Sequence, residues 1–361
     1  MNPRERIMAV LHHKEPDFIP CTYQHGSIPV ASAVLREMRN MGCAVCIHMP
    51  VVWVETPNVT VESKVVGRTT YRVYRTPVGK VRTATKYTPL GIGGGTTWTI
   101  EPMIKSVEDY KVVKFIIRDA IYHYDPEPFL EQQRWLGDDG IVRADIEPSP
   151  LQQMISTSAR YFGGYLGFER LAVDLYKHPR ELNELYEVIW EKAEECYRLV
   201  ADSPAEVVAS WENIDSVMTN PKLFEKYCLP FYNKMGRLLH QKGKIYVIHC
   251  DGRLKALKNL IAKADIDVVE SFTPPPGGDL SVEEAREAWG DRKIIWTNIP
   301  DNILMQGAET TRRFTRELLR NAVPGDNFIV GIMEVVPPNC EEALRAVVDT
   351  VIKYGKYPLS P

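Results

Sequence analysis

KIYVIHCDGRLKALKNLIAKADIDVVES, residues 244–271, decides how the rest of the chain is read. An apolar β-branched run at 244–251 stops on a histidine, a cysteine, an aspartate and a glycine. A helical pattern follows at 252–263, and a second β-branched run at 265–271. Strand, helix, strand in one stretch implies a right-handed crossover and two parallel strands. The same alternation extends in both directions. Runs of strand type stand at 17–23, 43–49, 140–147 and 205–212, then at 244–251, 265–271, 291–298 and 327–334. Between most of them lie stretches of 3.6-residue periodicity, among them 221–242, 281–289, 309–322 and 340–354. Eight such units close into a (β/α)8 TIM barrel, read here as a single domain over 1–361. A doubly wound open sheet would announce itself with a Gly-rich first turn, and none stands in that place.

One segment breaks the alternation. Residues 57–100 alternate with period two between Gly and Pro punctuation, the pattern of antiparallel hairpins. They are expected to form a β-rich insertion after the second strand. Within it, Gly93-Gly94-Gly95 lacks the preceding strand, following helix and lysine of a phosphate-binding loop, and reads as a turn.

Bulk properties exclude several classes. The 361 residues are 44% hydrophobic and 25% charged, with a net charge of −3 and no basic run, so neither a nucleic-acid groove nor an anionic membrane surface is indicated. No 18-residue apolar stretch occurs, and the charged start MNPRERIMAVLHH does not read as a signal peptide. Seven scattered cysteines are expected to be reduced thiols in a cytoplasmic protein.

In a barrel of this type the active site forms at the C-terminal ends of the strands. Standing there are Tyr23, His48, Glu147, Glu212, His249 with Asp251, Glu270, Asn298 and Glu334. Any one of these alone is more often a solvated rim residue. Several carboxylates and a histidine on one mouth would repel unless a cation or protons compensated them. His249 and Asp251 are two apart on a strand and share a face, whereas Cys250 points the other way. With Glu334 opposite, the pair is expected to bind a metal. Zinc suits one imidazole with carboxylate or thiolate ligands and an open position. Cys250, Cys228 and Glu212 remain alternative ligands at this point. Cys43 and Cys46 are three apart on a strand, face opposite ways and cannot share a metal.

Three stretches together resemble the uroporphyrinogen decarboxylase superfamily: NPRERIMAVLHHKEPDFIP (2–20), VIHCDG (247–252) and GIMEVVPPNCEEALRAVVD (331–349). The superfamily holds two chemistries. The metal-free decarboxylases grip a polycarboxylated tetrapyrrole through an arginine-rich stretch after the first strand. Here that stretch is CTYQHGSIPVAS (21–32), without arginine, and arginine is what pairs carboxylates bidentately. The resemblance therefore points to the other branch, the cobalamin-dependent methyltransferases. In their thiol-methylating members zinc is held by His-x-Cys at the fifth strand and Cys at the eighth. This chain has Asp251 in place of the first Cys and Met333-Glu334 in place of the second. A histidine with carboxylates makes a harder, more Lewis-acidic zinc site, suited to an ether oxygen.

The resemblance thus implies O-demethylation. A methyl group would pass from a methoxylated aromatic to the cob(I)alamin of a separate corrinoid protein. His249, Asp251 and Glu334 would hold Zn2+, with Glu212 as fourth ligand or acid, and Glu212 and Asp251 as catalytic groups. Tyr23, Trp53, Glu147, Trp211 and Asn298 would bind substrate, with Trp296 a further aromatic more at home in the core. A metal-free lyase, or transfer from methanol, a methylamine or a thiol, is the alternative. A monomer and a homodimer are both left open.

Overall fold

The computed structural model describes residues 1–26, 32–89, 95–155, 164–357 and 359. Eight parallel strands close into a barrel: β1 (Cys21–Gln24), β2 (Ala44–Met49), β9 (Gly140–Ile146), β10 (Val207–Ser210), β11 (Ile245–His249), β12 (Val268–Phe272), β13 (Ile294–Thr297) and β14 (Phe328–Ile332). Around the barrel the order is β1-β14-β13-β12-β11-β10-β9-β2, and every pair is parallel. Each of the eight strand-type runs in the sequence supplies one barrel strand.

Both faces of these strands are buried, as a parallel sheet covered by helices requires. On the inner face Ala44, Cys46, Ile141, Val207, Val247, Val268, Trp296 and Ile329 fill the barrel. Ile7, Val10 and Leu11 of the helix Pro3–Leu11 join them. That helix starts with a capping box, Asn2 and Glu5 satisfying each other's backbone amides, and packs against β2, β9 and β14. The outer face belongs to the layer between strands and helices, with Val45, Tyr246, Ile248, Val269 and Val330. Cys43 faces this outer layer and Cys46 the inner one. All seven cysteines are free and buried.

Between β2 and β9 the chain leaves the barrel. β3 (Val52–Glu55) pairs antiparallel with β8 (Ile121–Tyr124). β4 (Thr60–Val66), β5 (Thr69–Thr76), β6 (Gly79–Pro89) and β7 (Gly95–Glu101) form a separate four-stranded antiparallel meander. Val81 and Ala84 of β6 are buried, and β6 packs on the helix Asp109–Asp119. β7 is an edge strand of this sheet, which matters for the site below. Gly95 opens β7, while Gly93 and Gly94 lie outside the described residues. Among the described residues no helix is long and apolar enough to cross a membrane.

Candidate metal centre

At the C-terminal ends of the strands the inward positions change from apolar to polar. His48 on β2 stands in register with Arg143 on β9, and His249 on β11 with Glu270 on β12. Arg143 and Asp145 are both fully buried, and Glu270 is 1% exposed. Together they form one chain of contacts. His48 Nδ1 lies 2.5 Å from Asp145 Oδ1, and its Nε2 faces Arg143 Nη2. Arg143 Nη1 donates to Glu270 Oε1 at 3.0 Å, and Glu270 Oε2 meets His249 Nδ1 at 2.7 Å. Because Arg143 donates to Nε2, His48 carries its proton on Nδ1 and gives it to Asp145. Burial, helped by Arg143, lowers the His48 pKa, which keeps the ring neutral. Burial alone would raise the Glu270 carboxyl, but the charges of Arg143 and His249 outweigh it and hold the pKa at about 2.

The other edge of His249 faces the mouth. Its Nε2 lies 3.3 Å from Glu334 Oε1 and 3.9 Å from Asp251 Oδ2. One ligand atom from each of His249, Asp251 and Glu334 fits within 4.8 Å of the others. Among the described residues no other three such side chains converge this closely. Burial pulls His249 towards neutrality, yet Glu270 and Glu334 outweigh it and raise the pKa well above the ordinary value. Burial raises Asp251, while His249 draws Glu334 down against its own burial.

Local backbone features set these groups. Ser271 is the extra residue of a bulge where β12 pairs with β13, and it adopts a left-handed φ of +58°. A regular strand would turn Ser271 outward. The bulge frees its hydroxyl to donate to Glu334 Oε1 at 2.5 Å, while Phe272 returns to the outer core. Gly252, just past Asp251, packs so closely that a Cβ there would lie 2.6 Å from Ile214 O. A side chain at that position would push the Asp251 loop away from the loop after β10.

Asp251 and Glu334 also line a cavity of about 520 Å3, together with Asn298 and Asp301. Burial and the Glu334 charge push the Asp301 carboxyl up to about 6. Asn298 is buried, and its Oδ1 accepts from the Met333 amide at 2.9 Å, which ties the ends of β13 and β14 together. The Trp211 ring sits between two imidazoles, 4.3 Å from His48 and 5.0 Å from His249 between ring centroids.

Other residues expected at the site stand elsewhere. Glu212 is directed into the outer layer, where its carboxylate accepts from the Ser149 amide and hydroxyl, Ser210 and Tyr232 at 2.7–3.0 Å. The structure therefore does not bring Glu212 together with His249, Asp251 and Glu334. Cys228 and Cys250 are buried in the same outer core. Tyr23 belongs there too, its hydroxyl pushed up to about 12 by burial. Glu147 lies past the end of β9, where its charge acts on Tyr122, Tyr165 and Cys196. Trp53 is 49% exposed on β3 and stacks on His123 with centroids 4.0 Å apart. Trp296 lies inside the barrel, its indole donating to Thr22 at 2.8 Å. Arg143, Asp145, Ser271 and Asp301 did not emerge from the sequence reading. Arg143 and Asp145 carried a usable signal: two charges spaced two apart in an otherwise apolar strand (IVRADI) must share a face and find partners.

The fold and site define a (β/α)8 barrel with a histidine-carboxylate centre at its mouth. The family model described as uroporphyrinogen decarboxylase (URO-D) matches residues 156–354, more than half of the chain, and the chain belongs to that family. No curated protein sequence matches it. Among solved structures, a methyltransferase from Methanosarcina mazei superposes with a TM-score of 0.61 at 13% identity, over 98% of this chain and 99% of that one. D-psicose 3-epimerase from Clostridium cellulolyticum H10 superposes with a TM-score of 0.40 at 8% identity, over 95% of this chain and 100% of that one. At 13% identity the likeness to the methyltransferase concerns the fold.

Proposed function

We propose that the protein is a zinc-dependent methyltransferase that moves a methyl group from a methoxylated aromatic compound to the cob(I)alamin of a separate corrinoid protein. The observation that carries this reading is the convergence of His249, Asp251 and Glu334 on one point at the barrel mouth. The donor set fits zinc: one imidazole nitrogen and two carboxylates, with Nδ1 of the same ring held by Glu270. A carboxylate behind a ligating histidine fixes its tautomer and raises its basicity. The same fold carries a methyltransferase in Methanosarcina mazei. The absence of arginine from residues 21–32 argues against a decarboxylase for polycarboxylated tetrapyrroles.

Zinc bound by His249, Asp251 and Glu334 would supply Lewis acidity towards an ether oxygen, the function an aryl ether needs because phenolate leaves reluctantly. The chain's own groups prepare the site. Glu270 accepts the Nδ1 proton of His249 and keeps Nε2 aimed at the mouth. Ser271 holds Glu334, and Trp211 braces the imidazole plane. Release of the demethylated product would require one proton at the phenolate oxygen. Asp301 lines the cavity beside Asp251 and Glu334, and burial raises its carboxyl, so in its protonated form it would be placed to hand on that proton.

Elemental analysis of the purified protein, with methyl transfer to free cob(I)alamin followed spectroscopically, tests the reading. About one zinc per chain and methylcobalamin formation from a methoxyphenol are expected. A metal-free protein, or turnover of methanol or a methylamine with no methoxyaromatic turned over, would end it.

The hardness of the site yields a separate expectation. Asp251→Cys keeps zinc but lowers demethylation by about 10-fold or more, because a thiolate donates more charge and weakens the Lewis acid. Equal rates for variant and parent, at equal zinc content, would remove the argument from ligand hardness.

A further inference from the structure

Two cavities meet at Asp251. The first, of about 520 Å3, is the one lined by Asn298, Asp301 and Glu334. The second, of about 840 Å3, runs outward from Asp251 and Gly252 and has a different character. Trp98 and Ile100 on the edge strand β7 line it, with Phe168 at the start of the helix Gly167–Lys177 and Met218 from the loop after β10. All four are exposed, Trp98 at 64%. Trp98 lies in regular pairing with Lys86, and Ile100 is the extra residue of a bulge between β6 and β7; both line the cavity. Grouped exposed apolar side chains mark a binding surface, and the volume lies within the range of about 300–1,000 Å3 typical of small-molecule sites.

We infer that this second cavity holds the flat apolar body of the methyl donor, and that Trp98 and Phe168 select uncharged methoxylated rings over both small donors and carboxylated rings. The inference rests on the reading of the protein as a methyltransferase for methoxyaromatics. Continuity with Asp251 puts the donor oxygen at the end of the cavity next to the histidine-carboxylate centre. The charges on the wall decide against an anionic ring. Glu169 and Asp215 line the cavity, and Arg170 is drawn away to Asp174 Oδ2 at 2.6 Å and Lys105 O at 2.8 Å. Asp215 in turn holds Arg253, whose Nε lies 3.1 Å from its Oδ2, so a ring carboxylate would meet Glu169 and guanidinium groups already in use.

The test is equilibrium binding to the intact protein by calorimetry, with no corrinoid present. The probes are 2-methoxyphenol and 2-methoxybenzoate. The variants are Trp98→Ala, Trp98→Phe, Phe168→Ala and, as a control on the opposite kind of surface tryptophan, Trp53→Ala. The parent is expected to bind the phenol more tightly than the benzoate. Trp98→Ala and Phe168→Ala each weaken phenol binding by about 10-fold, the scale of one lost aromatic contact with its burial. Trp98→Phe recovers most of the loss, Trp53→Ala changes nothing, and zinc content is the same throughout. The inference is overturned if the parent fails to bind the phenol, if it prefers the benzoate, or if Trp98→Ala binds as the parent does. Binding through Trp98 without demethylation would leave the cavity assignment standing and remove the methyltransferase reading. Demethylation indifferent to Trp98 would do the reverse.

Discussion

His249→Ala is expected to strip the protein of zinc, from about one ion per chain to none, and to abolish methyl transfer. The imidazole supplies the one nitrogen among three converging ligand atoms, and the remaining two carboxylates would face each other across the gap it leaves. Water can fill the coordination position, but it is a weaker donor than imidazole and is not tethered to the chain, so the two carboxylates alone would have to hold the ion. His249 is also the end of the buried chain through Glu270 and Arg143, so its removal leaves the Glu270 carboxylate short of one partner. The readouts are metal content by elemental analysis and the rate of methylcobalamin formation, with circular dichroism to verify the fold. Full zinc occupancy in the variant would show that the histidine is structural and that the metal, if any, lies elsewhere.

Arg143→Met is expected to cost about 3–5 kcal/mol of stability, the usual penalty for leaving one half of a buried ion pair uncompensated. Arg143 and Glu270 are both almost entirely out of solvent, their charged atoms 3.0 Å apart, and the guanidinium also lies over the Trp296 ring at 4.9 Å. Methionine fills much of the arginine volume, so the loss reports charge rather than a cavity. Urea unfolding of metal-free protein measures it. Adding Glu270→Leu should recover most of the stability, because a well-packed apolar pair replaces the buried ions. The double variant should still bind zinc more weakly by about 10- to 100-fold, since His249 has lost the carboxylate that orients it. A single variant within about 1 kcal/mol of the parent would mean that solvent reaches the pair.

The eight barrel strands were legible from local sequence because each is a short β-branched run between helical periodicities, and that alternation permits few topologies. The direction of side chains was less legible. Where one face of a strand meets water, polarity tells the faces apart. In β1 and β10 both faces are buried, so CTYQ and VVASWE carry no such mark. Tyr23 and Glu212 were accordingly expected at the mouth, whereas counting by twos from the inward Thr22 and Ala209 turns both outward. Trp211, one residue before Glu212, faces the centre for the same reason.

What the sequence determined by itself was the parallel barrel and the nearness of His249 to Asp251, because β11 ends at His249 and two residues of chain cannot carry them far apart. The tertiary structure alone decided the rest of the centre. Glu334 follows Met333, whose side chain lies inside the barrel, and strict alternation would send Glu334 outward. It reaches His249 because β14 ends at Ile332, the loop turns, and the bulge at Ser271 holds out a hydroxyl to receive it. Arg143, Glu270 and His249 come from three strands more than a hundred residues apart at the extremes. Their contact depends on the barrel's register and closure, and those are set by the packing of the whole ring of strands, not by any segment of it.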